Sequence, residues 1–304
     1  MRRVAVIDIG SKSVKCFVGE KRADGSVSTL LDANDITSLG EGLSRTGRIG
    51  ADALERTAQA VSRFSGRAEA LGAERVEAVG TMALRSAENS ADFTARVRAL
   101  CGLGVQILPG EEEARLSYRS VLTGLDVGNG RLVIFDTGGG STEFIYGHGG
   151  TLEKRFSIDL GVNRITEAYF PDDPVKPGSV DAALSQIRAE LMNAGVGGSA
   201  ERLIGIGGAV TGMSAVKHRL KTYDPAVVHG SVLTSGDVEW QLRDFESKTL
   251  EERRQIPGVQ PKRADVLLAG ACIVKAILER FGTASLTVSD RGLRHGLAWE
   301  LLGQ

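Results

Sequence analysis

The chain has 304 residues, of which 42% are hydrophobic and 25% charged, and its formal net charge is −1. This composition is typical of a globular protein with room for two domains, each with its own core. A net charge near zero excludes a general attraction to nucleic acid or to an anionic membrane, and no apolar run reaches membrane-spanning length.

The first 125 residues predict strands followed by alternating helices and strands. The predicted strands are 3–9, 14–20, 27–38, 75–81 and 105–108; the predicted helices are 51–72, 91–101 and the segment PGEEEARLSYRSVL. A glycine-rich loop, LGEGLSRTGRIG, follows the third strand. Three glutamates, Glu111, Glu112 and Glu113, open the last helix, where acidic side chains complement the helix dipole.

A turn, DVGNG, follows Leu125 and predicts the first domain boundary. The second half repeats the order of strands and helices. Its predicted strands are 131–136, 143–146, 152–158, 202–206 and 286–289, and its predicted helices are 162–170, 180–193, 236–246, a short one capped by Thr249 and Glu252, 262–281 and 293–302. We expect α/β layers in two domains, residues 1–125 completed by the C-terminal helix 293–304, and residues 126–292.

The most informative segment is RLVIFDTGGGSTEFIYG, two strand-like runs joined by a glycine-rich tip. The tip places Gly138, Gly139, Gly140 and Ser141 between the acids Asp136 and Glu143. Glycine lets backbone approach a ligand closely, and clustered N–H donors form an anion-binding nest. Carboxylates repel phosphate, so beside a phosphate site they imply a bridging Mg²⁺ or an activated water. A plain structural turn is the alternative interpretation.

The same pattern occurs earlier, in VAVIDIGSKSVKCFVGE. Asp8, Gly10 and Ser13 have the spacing of Asp136, Gly138 and Ser141, so one constant offset relates all three pairs. This predicts a duplicated fold in which two similar domains face each other across a cleft, each gripping phosphate with one tip.

Seven segments in order resemble the exopolyphosphatase and guanosine pentaphosphate phosphohydrolase (Ppx/GppA) family in its short, two-domain form. They are VAVIDIGSKSVK, LGEGLSRTGRIG, VGTMALRSAEN, PGEEEARL, FDTGGGSTEF, KRADVLLAG and VSDRGLRHG. The resemblance implies two actin-like (ribonuclease H-like) ATPase-superfold domains around an interdomain cleft. It also implies Mg²⁺-dependent hydrolysis of a terminal phosphoanhydride bond.

The leading hypothesis is an exopolyphosphatase that releases orthophosphate from inorganic polyphosphate. A guanosine pentaphosphate phosphohydrolase is the first alternative, and a small-molecule kinase of the same superfold or a non-catalytic phosphate sensor represents other classes. The three cysteines, Cys16, Cys101 and Cys272, are too far apart for a C-x-x-C zinc or disulfide pattern, so we expect reduced, buried thiols. The chain enters a strand at once without a signal peptide, so we expect a cytoplasmic protein without nucleic-acid or membrane partners, and a homodimer is the one assembly considered.

The resemblance assigns Glu113 as the catalytic base and places Asp136 and Glu143 around metal and water. It assigns phosphate contacts to Asp8, Gly10, Ser11, Ser13, Arg85, Gly138, Gly139, Gly140, Ser141, Gly207 and Gly208. On chemistry alone Glu112 competes with Glu113, because neighbours on a helix point about 100° apart.

Three positions depart from the family's pattern. Lys12 stands where Asn is usual and is either a phosphate contact or a solvated charge; Ala209-Val210-Thr211 weakens any specific nucleotide pocket after Gly208; and His295 replaces a usual Glu. No histidine has metal-ligand spacing, so all four are interpreted as structural. Lys12, Arg45, Arg48, Arg85, Lys262 and Arg263 are candidates for a basic track, although Lys262 and Arg263 could simply be solvated at a helix start.

Overall fold

The computed structural model describes residues 2–303 and divides into two compact units. The first unit comprises Met1–Ser120 and Arg291–Gln304, and the second comprises Val121–Asp290. The boundaries expected from the sequence, after residue 125 and before residue 293, lie close to these divisions. No helix within residues 2–303 combines the length and the apolar character that a membrane span needs.

The first unit is built on a five-stranded sheet with strand order β3-β2-β1-β4-β5. The strands are β1 (Arg3–Ile9), β2 (Ser13–Lys21), β3 (Val27–Ile36), β4 (Arg75–Gly80) and β5 (Val105–Ile107). Strands β1, β4 and β5 are parallel, whereas β2 is antiparallel to both of its neighbours. The helices are α1 (Leu43–Thr46), α2 (Ala51–Ala70), α3 (Met82–Ser86), α4 (Ser90–Cys101) and α5 (Gly110–Leu122).

The second unit is built on a six-stranded sheet with strand order β10-β11-β9-β6-β7-β8. The strands are β6 (Arg131–Thr137), β7 (Thr142–His148), β8 (Thr151–Ile158), β9 (Arg202–Ile206), β10 (Val232–Thr234) and β11 (Ser285–Val288). The helices are α6 (Val162–Tyr169), α7 (Ser179–Asn193), α8 (Gly208–Lys217), α9 (Pro225–Val228), α10 (Ser235–Glu246), α11 (Leu250–Arg254) and α12 (Leu267–Phe281).

The two units repeat one sheet topology, as the duplicated motif predicts. In each, three consecutive antiparallel strands lead into parallel strands on the other side of the first. The likeness extends to an irregularity of pairing with the third strand, between Val18 and Gly19 in β2 and between Tyr146 and Gly147 in β7. These irregularities are separated in sequence by the same offset as the two tips. The duplication therefore includes a local irregularity of strand pairing as well as the strand pattern.

The predicted helix 262–281 is wrong in its first part. Pro261–Val266 is a 3₁₀ helix, and the regular helix α12 begins only at Leu267. The change follows the burial pattern. Helix α12 is packed into the core on nearly all sides, whereas Pro261 and Lys262 are exposed. Proline fits a first turn, and a short 3₁₀ stretch turns the chain from surface to core.

The last helix, α13 (Leu293–Gly303), belongs to the first unit. Its apolar side chains pack in one core cluster with Val4, Val6 and Phe17 of the first sheet. Polar contacts fix its position as well, since Arg294 donates to Asp32 of β3 at 2.9 and 3.0 Å and Nζ of Lys21 donates to the Leu302 carbonyl at 2.9 Å. The first unit is therefore assembled from two separate stretches of chain.

Candidate active site

In the first unit, the predicted phosphate-binding residues lie at the carboxyl edge of the parallel strands, where α/β sheets commonly bind ligands. Asp8 is near the end of β1 and is 8% exposed. The β1–β2 turn is closed by a 3.0 Å hydrogen bond from the Gly10 amide to the Ser13 carbonyl. Ser11 and Ser13 are both buried in this turn. The structure thus groups Asp8, Gly10, Ser11 and Ser13 at one tip.

Arg85 and Glu113 reach the same edge from the neighbouring parallel strands. Arg85 lies on α3, just after β4, and Glu113 lies in the first turn of α5, just after β5. Nη1 of Arg85 donates to the Leu108 carbonyl at 2.8 Å and to Oε2 of Glu113 at 3.4 Å. The Glu113 side chain is 14% exposed. A partly buried acid therefore sits beside a guanidinium at the ligand edge of the sheet.

Glu112 has a different set of partners. Nε and Nη2 of Arg115 donate to its two carboxylate oxygens at 2.8 and 2.6 Å. Arg115 also pairs with Glu300 of α13, and the bonds to Glu112 and Glu300 together raise the pKa of Arg115. Glu112 thus belongs to an ion-pair network that ties α5 to α13.

The corresponding tip of the second unit lies at the carboxyl edge of β6, β9 and β11, which are parallel. Asp136 of β6 and Glu143 of β7 are direct cross-strand partners, so their side chains share one face of the hairpin. The Gly138 amide donates to the Ser141 carbonyl at 2.9 Å, as Gly10 does to Ser13 in the first unit. The structure therefore brings together Asp136, Gly138, Gly139, Gly140, Ser141 and Glu143.

This second tip rests on the start of helix α6. The amides of Val162 and Asn163 donate to the carbonyls of Gly138 and Gly139 at 3.1 and 2.8 Å. A Cβ on Gly161 would lie 2.3 to 2.4 Å from backbone atoms of Gly139 and Gly140. The carbonyls of the tip are consequently directed at α6, and only glycine at 161 allows the approach.

Glu143 is 3% exposed, and two hydroxyl groups bind it. Oγ of Ser141 and Oγ of Ser157 both donate to its Oε1 atom, at 2.6 and 2.8 Å. Ser157 lies on β8 directly opposite Glu143. Ser157 is not predicted from the sequence, because only the register between the second and third strands of the unit brings it to Glu143.

Gly207 and Gly208 join β9 to α8 beside Asp136. Gly207 has a φ of 92°, and a Cβ there would lie 2.6 Å from Oδ1 of Asp136. A Cβ on Gly208 would lie 1.8 Å from Nη1 of Arg263. Arg263 is not a solvated helix-start charge, because burial lowers its pKa and Nε donates to Oε1 of Gln260 at 3.1 Å. Lys262, in contrast, is exposed.

The acids of the second tip fit a magnesium ion. Within residues 2–303, no three side chains of His, Cys, Asp or Glu are close enough together to form a metal cage. Mg²⁺ is usually bound through one or two carboxylates, with waters and substrate phosphates completing its coordination. Asp136 and Glu143 offer two carboxylates at paired positions of one hairpin, which is the number that such a site needs.

Two of the four histidines have clear structural partners. His295 accepts a hydrogen bond from the Gly292 amide at Nδ1, 3.2 Å away, and its Nε2 lies 2.9 Å from Asp32. His229 accepts from the Asp290 amide at Nδ1 and donates from Nε2 to the Gly124 carbonyl. His148 and His218 are exposed.

Comparisons with known proteins agree with this architecture. The model of the Ppx/GppA phosphatase family matches residues 3–304. Exopolyphosphatase 2 of Mycobacterium tuberculosis is 31% identical, covering 100% of this chain and 99% of its own. The guanosine-5'-triphosphate,3'-diphosphate pyrophosphatase of Photobacterium profundum is 30% identical over 99% of this chain and 59% of its own.

Among solved structures, the Ppx/GppA family member of Aquifex aeolicus is similar with a TM-score of 0.84. It is 36% identical, and the match covers 99% of this chain and 98% of that one. Its likeness supports the actin-like ATPase fold, with a sheet in each of two domains, that the resemblance implies. Family model, relatives and fold agree over the whole length, so the chain belongs to the Ppx/GppA phosphatase family and is a hydrolase.

Proposed function

We propose that this hydrolase is a Mg²⁺-dependent exopolyphosphatase, which cleaves the terminal phosphoanhydride bond of inorganic polyphosphate and releases orthophosphate. The observation that carries the proposal is the repeated hairpin tip, in which aspartate, glycine and serine lie together at the ligand edge of each sheet. The full-length similarity to a relative named exopolyphosphatase 2 supports polyphosphate as the substrate.

In the first unit, Glu113 has the role of general base. A carboxylate within hydrogen-bond reach of water can accept its proton as the water attacks phosphorus. Arg85, 3.4 Å from Glu113, adds positive charge that offsets the negative charge on the phosphoryl oxygens. The attachment of Glu112 to Arg115 supports Glu113, rather than its neighbour, in this role.

In the second unit, Asp136 and Glu143 would hold Mg²⁺, which when bound offsets charge on the phosphate oxygens. The backbone amides of the glycine tip and of Ser141 serve as phosphate contacts in this proposal, since the hydroxyl proton of Ser141 is donated to Glu143. A backbone nest suits this task, because it offers donors without the bulk of side chains. Gly207 and Gly208 let the β9–α8 junction approach Asp136 closely.

Guanosine pentaphosphate is the second candidate substrate, because a relative named guanosine-5'-triphosphate,3'-diphosphate pyrophosphatase matches 99% of this chain. We rank it lower, since the segment after Gly208 departs from the family pattern at Ala209-Val210-Thr211. A kinase or a non-catalytic sensor would not need an acid held beside Arg85 in the first turn of α5.

The test is release of orthophosphate from polyphosphate, guanosine pentaphosphate and ATP, each with Mg²⁺ and with excess chelator. We expect the highest kcat/KM on polyphosphate and loss of activity in chelator. The variant Asp136→Asn, purified in parallel, controls for contaminating phosphatases. Higher efficiency on guanosine pentaphosphate would reverse the ranking, and phosphate transfer from ATP to an acceptor alone would indicate a kinase.

The proposal includes a cytoplasmic location, and the thiols support it. Cys16, Cys101 and Cys272 are all free of disulfides, and burial raises the pKa of Cys16 and of Cys272 to about 12. Such thiols are inert in a reducing compartment. Cys101 is only partly buried, which differs from the expectation of three buried thiols.

A further inference from the structure

We infer that Ser157 is a positioning residue for the hydrolytic reaction, because it fixes the orientation of the Glu143 carboxylate. The inference rests on the proposed function of the second hairpin tip. It adds a residue outside the glycine-rich motif, on the third strand of the unit.

Three cross-strand neighbours form one row across the sheet. Asp136 on β6 pairs with Glu143 on β7, which pairs with Ser157 on β8. Side chains at paired positions project from the same face of a sheet. The row therefore places Glu143 between an acid on one side and a hydroxyl on the other.

The hydroxyl groups approach Glu143 from two different places. Ser141 is in the tip itself, two residues before Glu143, and donates at 2.6 Å, while Ser157 donates from the neighbouring strand at 2.8 Å. Both bonds end on Oε1. One hydrogen bond leaves a carboxylate free to turn about its terminal torsion, which has a broad energy minimum, whereas two donors on one oxygen define its plane.

The exposure of Ser157 supports a specific role. It is an exposed residue on an edge strand, so water could satisfy its hydroxyl at little cost. Glu143, in contrast, is 3% exposed, and a buried carboxylate depends on hydrogen bonds from the protein. The bond therefore matters more to Glu143 than to Ser157.

A fixed carboxylate has a chemical use at this position. Groups that hold a metal or a water must keep the reactive geometry, and a displacement of about 1 Å can cost two orders of magnitude in rate. Because both serines bind Oε1 of Glu143, the other carboxylate oxygen, Oε2, points away from them in a fixed direction. Ser157 would act through Glu143 and would not itself touch the substrate.

The variants for the test are Ser157→Ala, Ser157→Thr and a control, Thr151→Ala. Thr151 is an exposed residue at the other end of β8, so its loss removes a hydroxyl from the same strand away from Glu143. Crystal structures of wild type and Ser157→Ala report the orientation of the Glu143 carboxylate directly. Kinetics on polyphosphate and guanosine pentaphosphate, with thermal unfolding, complete the set.

We expect Ser157→Ala to lower kcat about tenfold with little change in KM, and to lower the melting temperature modestly because a hydrogen bond to a buried carboxylate is lost. Ser157→Thr should recover most of the activity, and Thr151→Ala should match wild type. Combined with Glu143→Gln, the alanine substitution should have no additional effect, because the residue through which it acts is already altered.

A single, unchanged Glu143 orientation in Ser157→Ala, together with wild-type turnover, would overturn the inference. A loss of activity that the double variant shows to be additive would also overturn it. If wild type releases phosphate from neither substrate, the proposed function fails. In that case a Glu143 carboxylate that is ordered in wild type but turned or split in Ser157→Ala would still establish the positioning contact.

Discussion

At the scale of single residues, neighbouring acids on α5 have separate partners. Glu112 is bound at both carboxylate oxygens by Arg115, within a network that reaches Glu300. Glu113 lies beside Arg85, on the part of the helix that meets the carboxyl edge of the sheet. Helical periodicity could not separate the two, because it gives the angle between them but not the direction of the site.

The first prediction separates these acids by mutation. Glu113→Gln should lower kcat a hundredfold or more with little change in melting temperature, since the neutral isostere can no longer accept the proton. The matched control is Glu112→Gln, which should keep turnover but lower stability through the weakened bonds to Arg115. Phosphate release and thermal unfolding measure both; loss of turnover confined to Glu112→Gln would move the base by one residue.

The second prediction concerns acid stability. Burial and the neighbouring Arg294 lower the pKa of His295 to about 4, although Asp32 opposes this shift. The unfolded chain binds a proton at this histidine near pH 6.5, so between pH 6.5 and pH 4 it carries more protons than the folded state. The contribution of His295 to the free energy of unfolding should therefore be fully present above pH 6.5, and the protein should become less stable as the pH drops towards 4.

Asp32 continues the trend at lower pH. Burial raises the pKa of the Asp32 carboxyl. The charges and hydrogen bonds of Arg294 and His295 outweigh that effect and hold the pKa of Asp32 well below its usual range. Its contribution is present above about pH 3.8 and is lost below that value. Urea unfolding from pH 7.5 to 4.5 checks the histidine step, and His295→Gln should show a flatter profile there. An equal slope in that variant would assign the effect to other groups.

At the scale of elements, the contact between the second tip and α6 depends on one glycine. The third prediction is that Gly161→Ala displaces the Gly139–Gly140 backbone, because its Cβ would lie 2.3 Å from the Gly140 carbonyl carbon. We expect at least a tenfold loss of kcat and a destabilisation of about 2 kcal/mol.

The control for this variant is Gly212→Ala in α8, where a Cβ would meet no atom within 4 Å. Alanine there should stabilise the helix by about 0.5–1 kcal/mol and keep the activity. Denaturant unfolding and phosphate release measure the pair. Unchanged activity in Gly161→Ala would mean that the tip can shift without a functional cost.

Elements with a clear apolar pattern and the duplicated tips could be predicted from sequence, whereas elements held mainly by tertiary contacts could not. The strands Arg3–Ile9 and Arg202–Ile206 are found with the expected bounds, because their apolar runs are short and end at polar or glycine residues. Helix α8 was missed, since glycine, valine and threonine give GAVTGMSAVK a weak helix propensity. Packing of Val210, Met213 and Val216 into the core overrides that preference.

The site shows the same division. Asp136, Glu143 and the glycines are near in sequence, so their grouping follows from one hairpin. Ser157 and Arg263 join them through strand register and loop packing, which local patterns do not specify.

At the scale of the whole molecule, the formal net charge is −1, so a long polyanion needs a local basic track. The fourth prediction is that kcat/KM is highest on polyphosphates of short to medium length, because a net charge of −1 gives no general attraction that would grow with the length of the polyanion. Polyphosphates of graded length, compared at fixed ionic strength, provide the measurement. Efficiency that keeps rising to the longest chains would show that two domains suffice for an extended track.

The division of the first unit between Met1–Ser120 and Arg291–Gln304 has a consequence for biosynthesis. A ribosome releases the second unit, Val121–Asp290, as one continuous segment, and domains generally fold as units while the chain emerges. The first sheet emerges earlier, before α13 has been synthesised. Until then Asp32 has no contact with Arg294, and the apolar surface around Phe17 is not covered by α13. The half synthesised first is thus the half completed last, and the exposed sheet is the surface that a chaperone would shield in the interval.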